Sequence, residues 1–155
     1  MALLVVAGIA AAELLSGSGG VARAAPRLPR QTLVPPRVTV ADLRGKPAAI
    51  NFWASWCDPC RNEAAGIAAL ARSFHGRARL VGVDWSDSVT GARAFVRRYG
   101  WRFPVLRDAN GAAGDAYGIR GLPTTFILDA RGRIAQVLRG PQSPAAIRRA
   151  LAGVS

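Results

Sequence analysis

The chain is poor in several residue types at once: among 155 residues it has two cysteines, one histidine, one methionine and nine acids. Two cysteines are too few for a disulfide scaffold or a four-cysteine zinc site. A zinc half-site would need two further ligands, and His75 is the sole histidine. Met1 is the sole methionine, so the folded part has none to offer a soft metal. No internal repeat of about 20–50 residues occurs, which excludes a solenoid. The 10 prolines and 17 glycines follow no G-X-Y period, which excludes a collagen-like chain. The scarcity of acids leaves a net charge of +12. Lys46 is the only lysine; the remaining cations are arginines in runs of no more than two. No ribbon of alternating basic and aromatic residues appears, so no nucleic-acid partner is expected. A solvated basic surface accounts for the charge. An anionic membrane surface is the partner it would fit, at ~1 kcal/mol per nearby cation.

Half the residues are apolar, enough for one domain with a real core and too many for a disordered chain. Residues Ala2 to Ala12 are apolar and uncharged; Glu13 interrupts, Leu14 and Leu15 follow, and a Ser/Gly stretch leads to Ala22-Arg23-Ala24. An apolar run before a small-x-small site reads as a secretory signal cleaved after Ala24, or as an uncleaved membrane anchor, over residues 1–24. Either places the cysteines in an oxidising, extracytoplasmic compartment. Residues 25–36 hold four prolines and read as a semi-extended linker. The folded domain is expected over residues 37–155.

Ala48 to Trp53 is a short apolar run entered from a Gly-Lys-Pro turn, which predicts a buried strand. From Pro59 to His75 the apolar residues Ala64, Ile67, Ala68, Leu70, Ala71 and Phe74 share one helical face, and Gly76 ends the pattern. Arg79–Trp85 predicts a second strand, Val89–Tyr99 a second helix closed by Gly100, and Phe103–Leu106 a short extended piece. Thr124–Leu128 and Arg133–Leu138 predict a hairpin across Asp129–Gly132. Ser143-Pro144 predicts an N-cap opening a last helix to Leu151. Strands that first alternate with helices and then close in a hairpin predict an α/β sandwich, a central mixed sheet flanked by helices.

Cys57 and Cys60 are spaced C-x-x-C where a strand gives way to a helix, the expected form of a redox dithiol. The first turn of a helix carries unpaired N–H groups and the positive end of its dipole, which favours a thiolate, and the thiolate is the nucleophile of disulfide exchange. Cys57, nearer the helix end, is the expected attacking thiol. Cys60, one turn inside, is the expected resolving thiol. A structural disulfide closing so short a loop would contribute little. Haem attachment is excluded because Arg61 follows Cys60 in place of a histidine.

The run Asn51-Phe52-Trp53-Ala54-Ser55-Trp56-Cys57-Asp58-Pro59-Cys60-Arg61-Asn62-Glu63 resembles the active-site signature of extracytoplasmic thioredoxin-like proteins of the TlpA/ResA/CcmG type. Tyr117 to Asp129, with Gly121-Leu122-Pro123-Thr124-Thr125 at its centre, resembles their second signature, and the residues between are similar to their helix-containing insert. The resemblance implies a thioredoxin-like fold and thiol–disulfide exchange with protein substrates, apocytochrome c among them. It implies an upstream membrane thiol reductant and no cofactor beyond the Cys57–Cys60 pair. It further implies a cis Leu122–Pro123 bond in a loop that faces the cysteines and helps dock the substrate strand, and a proton-handling role for Glu63. Read from position alone, Glu63 is equally a first-turn acid complementing the helix dipole. Asn51 stands where thioredoxins carry a buried acid. Trp56, beside Cys57, is expected to face substrate, and Phe52 to be core. Asp58 is expected to disfavour the Cys57 thiolate and push the couple toward the reducing end, an effect that water would weaken. His75 is expected to complement the end of its helix. Two other functions would use the same cysteines. A peroxiredoxin-like peroxidase needs a Thr or Ser and a Pro upstream of its cysteine, where this chain has Trp53-Ala54-Ser55-Trp56. A copper-delivery protein would need a distant His or Met ligand.

Overall fold

The computed structural model describes residues 22–154; the apolar stretch of the expected leader lies outside the described residues. Eight segments follow the patterning of the chain: β3 (Ala48–Trp53), α1 (Asp58–Ser73), β4 (Arg79–Trp85), α2 (Val89–Tyr99), β5 (Val105–Asp108), β6 (Thr124–Leu128), β7 (Arg133–Arg139) and α4 (Pro144–Ala152), with a short helix α3 (Ala112–Tyr117) between β5 and β6. Two shorter strands precede them, β1 (Arg23–Ala24) and β2 (Gln31–Val34). The sheet runs β1-β7-β6-β3-β4-β5-β2. β3, β4 and β5 are parallel neighbours, while β6 is antiparallel to β3 and β7 to β6. This is the expected α/β sandwich on a mixed sheet.

The period-2 alternation of β3 serves two cores. Ala49 and Trp53 turn to the layer of α1, α2 and α4, where Ile67, Leu70, Phe95, Ile147 and Leu151 are buried. Ala48, Ile50 and Phe52 turn to the other layer with Val81, Val83, Phe126 and Tyr117. The insert is locked on by aromatic packing: the Trp53 ring lies 4.4 Å from Phe95 and 4.9 Å from Trp101. Trp101 Nε1 donates to Ala64 O at 2.9 Å, tying the insert to α1 behind the cysteines. The expected caps form: Ser143 Oγ accepts from Ala146 N and Gly100 closes α2 at φ 63°; at the start of α2, Ser88 Oγ accepts from Gly91 N as a further cap.

The boundary expected at Arg37 is corrected. β2 pairs antiparallel with β5, and β1 with β7, so both sheet edges are formed by residues assigned to the leader and linker. The four prolines of this stretch flank a proline-free Gln31–Val34, and an edge strand tolerates such neighbours. Leu33 and Val34 pack on the core, Tyr117 Oη donates to Pro26 O at 2.9 Å, and Arg133 donates to Ala22 O. The segment is therefore part of the domain and not a spacer.

Helix α3 was also unexpected, because Gly111, Gly114 and Gly118 break its pattern. It forms because the buried Asp108 carboxylate accepts from Ala113 N at 3.1 Å and Gly114 N at 2.8 Å, occupying donors of its first turn. Gly114 is also required sterically: a Cβ there would overlap Nε1 and Cδ1 of Trp85. Gly114→Ala is expected to cost roughly 1–3 kcal/mol despite its better helix propensity, read as a lower thermal midpoint.

Candidate active site

The cysteines sit where β3 delivers the chain to α1. Cys57 is the N-cap of α1, with Pro59 in the first turn, and its Sγ accepts from Cys60 N at 3.2 Å. The two cysteines are joined in a disulfide. Cys57 is 5% exposed and Cys60 1%, the order expected for an attacking and a resolving thiol. The Cys60 N–H and the N-terminal end of α1 are both placed to favour a thiolate at Cys57.

Asp58 does less than its position suggests. Its side chain is 83% exposed and ion-paired with Arg61, whose guanidinium also donates to Ser55 O. Water and a neighbouring cation both screen its effect on Cys57.

Trp56 is the most exposed large apolar side chain among the described residues, at 54%. Its Nε1 donates to Ser86 O at 3.2 Å, and its ring lies 6.4 Å from that of Trp85. Trp56, Cys57, Pro59, Trp85, Ile119 and Leu122 line an open groove of about 450 Å³. The fold thus brings Trp56, Cys57 and Leu122 together from three segments of the chain. The Leu122–Pro123 bond is cis. Pro123 itself is buried at the start of β6, its carbonyl accepting from Gly140 N at 2.9 Å, and it lines an adjoining depression with Leu122.

Glu63 lies inside the protein, 6% exposed. Its Oε1 accepts from Asn51 Nδ2 at 2.9 Å and its Oε2 from Gln142 N at 2.8 Å. Burial pushes its pKa above the usual carboxylate range, with the two hydrogen bonds opposing. Asn51 Nδ2 also lies 3.0 Å from Thr125 Oγ1 on β6. The acid one turn beyond Cys60 is therefore a buried group wired to β3, β6 and the loop before α4, which separates it from a solvated dipole partner. Gln142 and Thr125 were not identifiable from the sequence: a backbone donor carries no side-chain signature, and Thr125 meets Asn51 only through the β3–β6 register. His75 is exposed with φ 44°, in the turn beyond the far end of α1. No group of three or more His, Cys, Asp or Glu suited to a metal occurs among the described residues.

A family model described as AhpC/TSA matches residues 21–137. The chain belongs to this AhpC/TSA family. Its relatives are of the ResA and DsbE type, as the two signatures implied. It is 33% identical over 112 residues to the thiol-disulfide oxidoreductase ResA of Bacillus subtilis, covering 72% of this chain and 63% of that protein. It is 41% identical over 114 residues to the thiol:disulfide interchange protein DsbE of Allochromatium vinosum, covering 73% and 59%. The match spans about three fifths of the length of both relatives. Among solved structures, MTB dsbF, determined in mixed oxidized and reduced forms, superposes with a TM-score of 0.75 at 30% identity over 83% of this chain and 95% of that one. This AhpC/TSA member thus has the thioredoxin-like fold, with its C-x-x-C pair where β3 delivers the chain to α1.

Proposed function

We propose that the chain is a thiol–disulfide oxidoreductase that reduces disulfides of exported proteins, with apocytochrome c as a substrate class. The observation that carries this reading is a disulfide at a helix N-cap, opening on a groove whose lips are Trp56 and Leu122. In the reduced protein the Cys57 thiolate attacks a substrate disulfide, one substrate sulfur leaves as a thiolate, and a mixed disulfide forms. Cys60 then gives up its proton, with Glu63 the nearest buried acid along the helix, and attacks Cys57 Sγ. The second substrate sulfur is released, two electrons have passed to the substrate, and the Cys57–Cys60 disulfide remains. The couple needs no cofactor, and an upstream membrane thiol donor must restore the dithiol. Reduction of a C-x-x-C-H peptide disulfide by the reduced protein, with peroxide turnover and Cu(I) titration as controls, tests the reading. Rapid peroxide consumption with no peptide reduction would favour the peroxidase.

The charge and the leader extend the proposal to location. Among the described residues no helix is long and apolar enough to cross a membrane. Arg44, Lys46, Arg72, Arg77, Arg131 and Arg148 are exposed, and they cluster toward the end of the sheet opposite Cys57. That is also the end where β1 pairs with the start of β7. We place this end against an anionic membrane surface outside the cytoplasm, with the dithiol turned away. The protein is expected to co-sediment with anionic vesicles at low salt more than with zwitterionic ones. The excess should vanish at about 0.5 M salt, where the screening length is only a few ångströms. Equal binding to both vesicle types would remove the charge from the account.

A further inference from the structure

Asp84, at the C-terminal end of β4, is wholly buried, and no hydrogen-bond donor is placed on either of its carboxylate oxygens. Two charged groups face it. Arg107, on the adjacent strand β5, brings Nε to 3.3 Å from Asp84 Oδ2. Asp87, in the loop after β4, lies within hydrogen-bonding reach of Asp84. On the β3 side its register partner is the uncharged Trp53. Asp108, the other buried carboxylate at this end of the sheet, is already occupied by the N–H groups of α3.

Asp87 is the point of contact with the active site. Its Oδ2 accepts from Ser55 N at 2.6 Å, and its Oδ1 accepts from Ser55 Oγ at 2.9 Å and from Ser88 N at 2.7 Å. Arg107 Nη2 donates to the Asp87 carbonyl at 2.5 Å. Between the two acids, Ser86 takes φ 49° and presents its carbonyl to Trp56 Nε1. The loop after β4 therefore grips Ser55 and Trp56, the two residues immediately before Cys57. Arg107 meets the Asp84 carboxylate but only the main-chain carbonyl of Asp87, so a proton on Asp84 is needed to turn the contact between the two carboxyl groups from repulsion into a hydrogen bond donated to Asp87.

We propose that Asp84 is a positioning residue: protonated, it holds Asp87 in its grip on Ser55 and so fixes the segment bearing Cys57, and on losing that proton it repels Asp87 and loosens the grip. The inference rests on Cys57 being the attacking thiol but needs no particular substrate. Burial, with Asp87 adding to it, pushes the Asp84 pKa up to about 8 against the opposing pull of Arg107, which sets the pH range of the test. Protonation of Asp84 and thiolate formation at Cys57 then have opposite pH dependence, and the segment is best ordered where Asp84 stays neutral.

The experiment uses the full-length reduced protein, its Asp84→Asn and Arg107→Gln variants, and iodoacetamide, which needs no recognition. Alkylation rates are divided by the thiolate fraction read from ultraviolet absorbance, and the labelled cysteine is identified by peptide mapping. In the wild type the rate per thiolate is expected to fall roughly threefold or more from about pH 7 to about pH 9.5 as Asp84 ionises. Asp84→Asn, which is neutral at every pH, should remove the fall, and Arg107→Gln, which takes away the cation beside Asp84, should move it to higher pH. A role confined to stability would shift melting curves without altering this profile. A flat wild-type profile, or the same fall in Asp84→Asn, would overturn the role of Asp84 while leaving the dithiol chemistry intact. Label on Cys60 in place of Cys57 would overturn both readings.

Discussion

Cys57→Ser is expected to abolish disulfide reduction, by roughly a thousandfold or more, the scale on which losing a nucleophile acts. Cys60→Ser is expected to stop turnover equally while leaving the first half-reaction intact. The physical basis is the asymmetry at the start of α1. Cys57 Sγ sits at the N-cap with a backbone N–H directed at it, whereas Cys60 is 1% exposed one turn inside. Cys57 therefore gains the stabilised thiolate and the access, and Cys60 gains proximity to the mixed disulfide. The measurement is the rate of reduction of a peptide disulfide, paired with mass spectrometry of trapped adducts. Cys60→Ser should accumulate a substrate adduct on Cys57, and Cys57→Ser should accumulate none. Adducts in Cys57→Ser and none in Cys60→Ser would reverse the roles.

The second large effect is expected at Glu63, where charge and hydrogen bonding can be separated. Glu63→Gln removes the charge and keeps the network. The Gln side chain still offers one oxygen to Gln142 N, and its amide nitrogen can be received by a turned Asn51, whose Oδ1 is unpartnered in the present arrangement. Glu63→Ala removes both acceptors and leaves Asn51 and the Gln142 N–H buried without them, at about 1–3 kcal/mol for each group. Glu63→Ala should therefore lower the thermal midpoint well below that of Glu63→Gln. The exchange chemistry divides differently. Loss of the charge should lower the apparent Cys57 pKa, on the order of one unit, and slow release from the mixed disulfide in both variants. The pH dependence of stability follows from the direction of the shift. Burial raises the Glu63 pKa, so the folded state holds the proton more tightly than the unfolded chain. The contribution is complete below the unfolded value and is lost as pH rises through the folded one. Wild-type stability should thus decline on the alkaline side of the ordinary carboxylate range, less steeply in Glu63→Gln. Identical pH profiles of thiolate formation, exchange and stability in wild type and Glu63→Gln would reduce Glu63 to a packing role.

Much of this architecture was legible before the fold was seen, for reasons that lie in particular residues. Ala48–Trp53, Arg79–Trp85, Val89–Tyr99 and Thr124–Leu128 form with the bounds read from patterning, because each is a largely apolar run bounded by turn residues or one helical face closed by a glycine. The C-x-x-C pair was legible because its chemistry needs only two residues and a strand-to-helix junction. The edge strands were hidden because Gln31–Val34 and Arg23–Ala24 carry little local signal and acquire their structure from β5 and β7. Helix α3 was hidden because its initiating acceptor, Asp108, belongs to a strand. The grip on Ser55 was hidden for a related reason. Asp84 and Asp87 read as a polar strand end, and only the parallel pairing of β4 with β5 places Arg107 opposite Asp84. Residues whose function depends on a single segment are visible in the sequence; those whose function depends on register are not.

Central to the account is that Cys57 and Cys60 form a reversible two-electron couple poised to reduce. An equilibrium titration against a dithiol buffer, with reduced and oxidised protein separated by alkylation, tests this most directly. With Asp58 screened, the buried Glu63 charge is the group that opposes the Cys57 thiolate, and on that ground the account predicts one two-electron transition at the reducing end of the thioredoxin-fold range, closer to ~−270 mV than to ~−120 mV, and its loss in either cysteine variant. A midpoint near ~−120 mV, or cysteines that do not titrate reversibly, would contradict it.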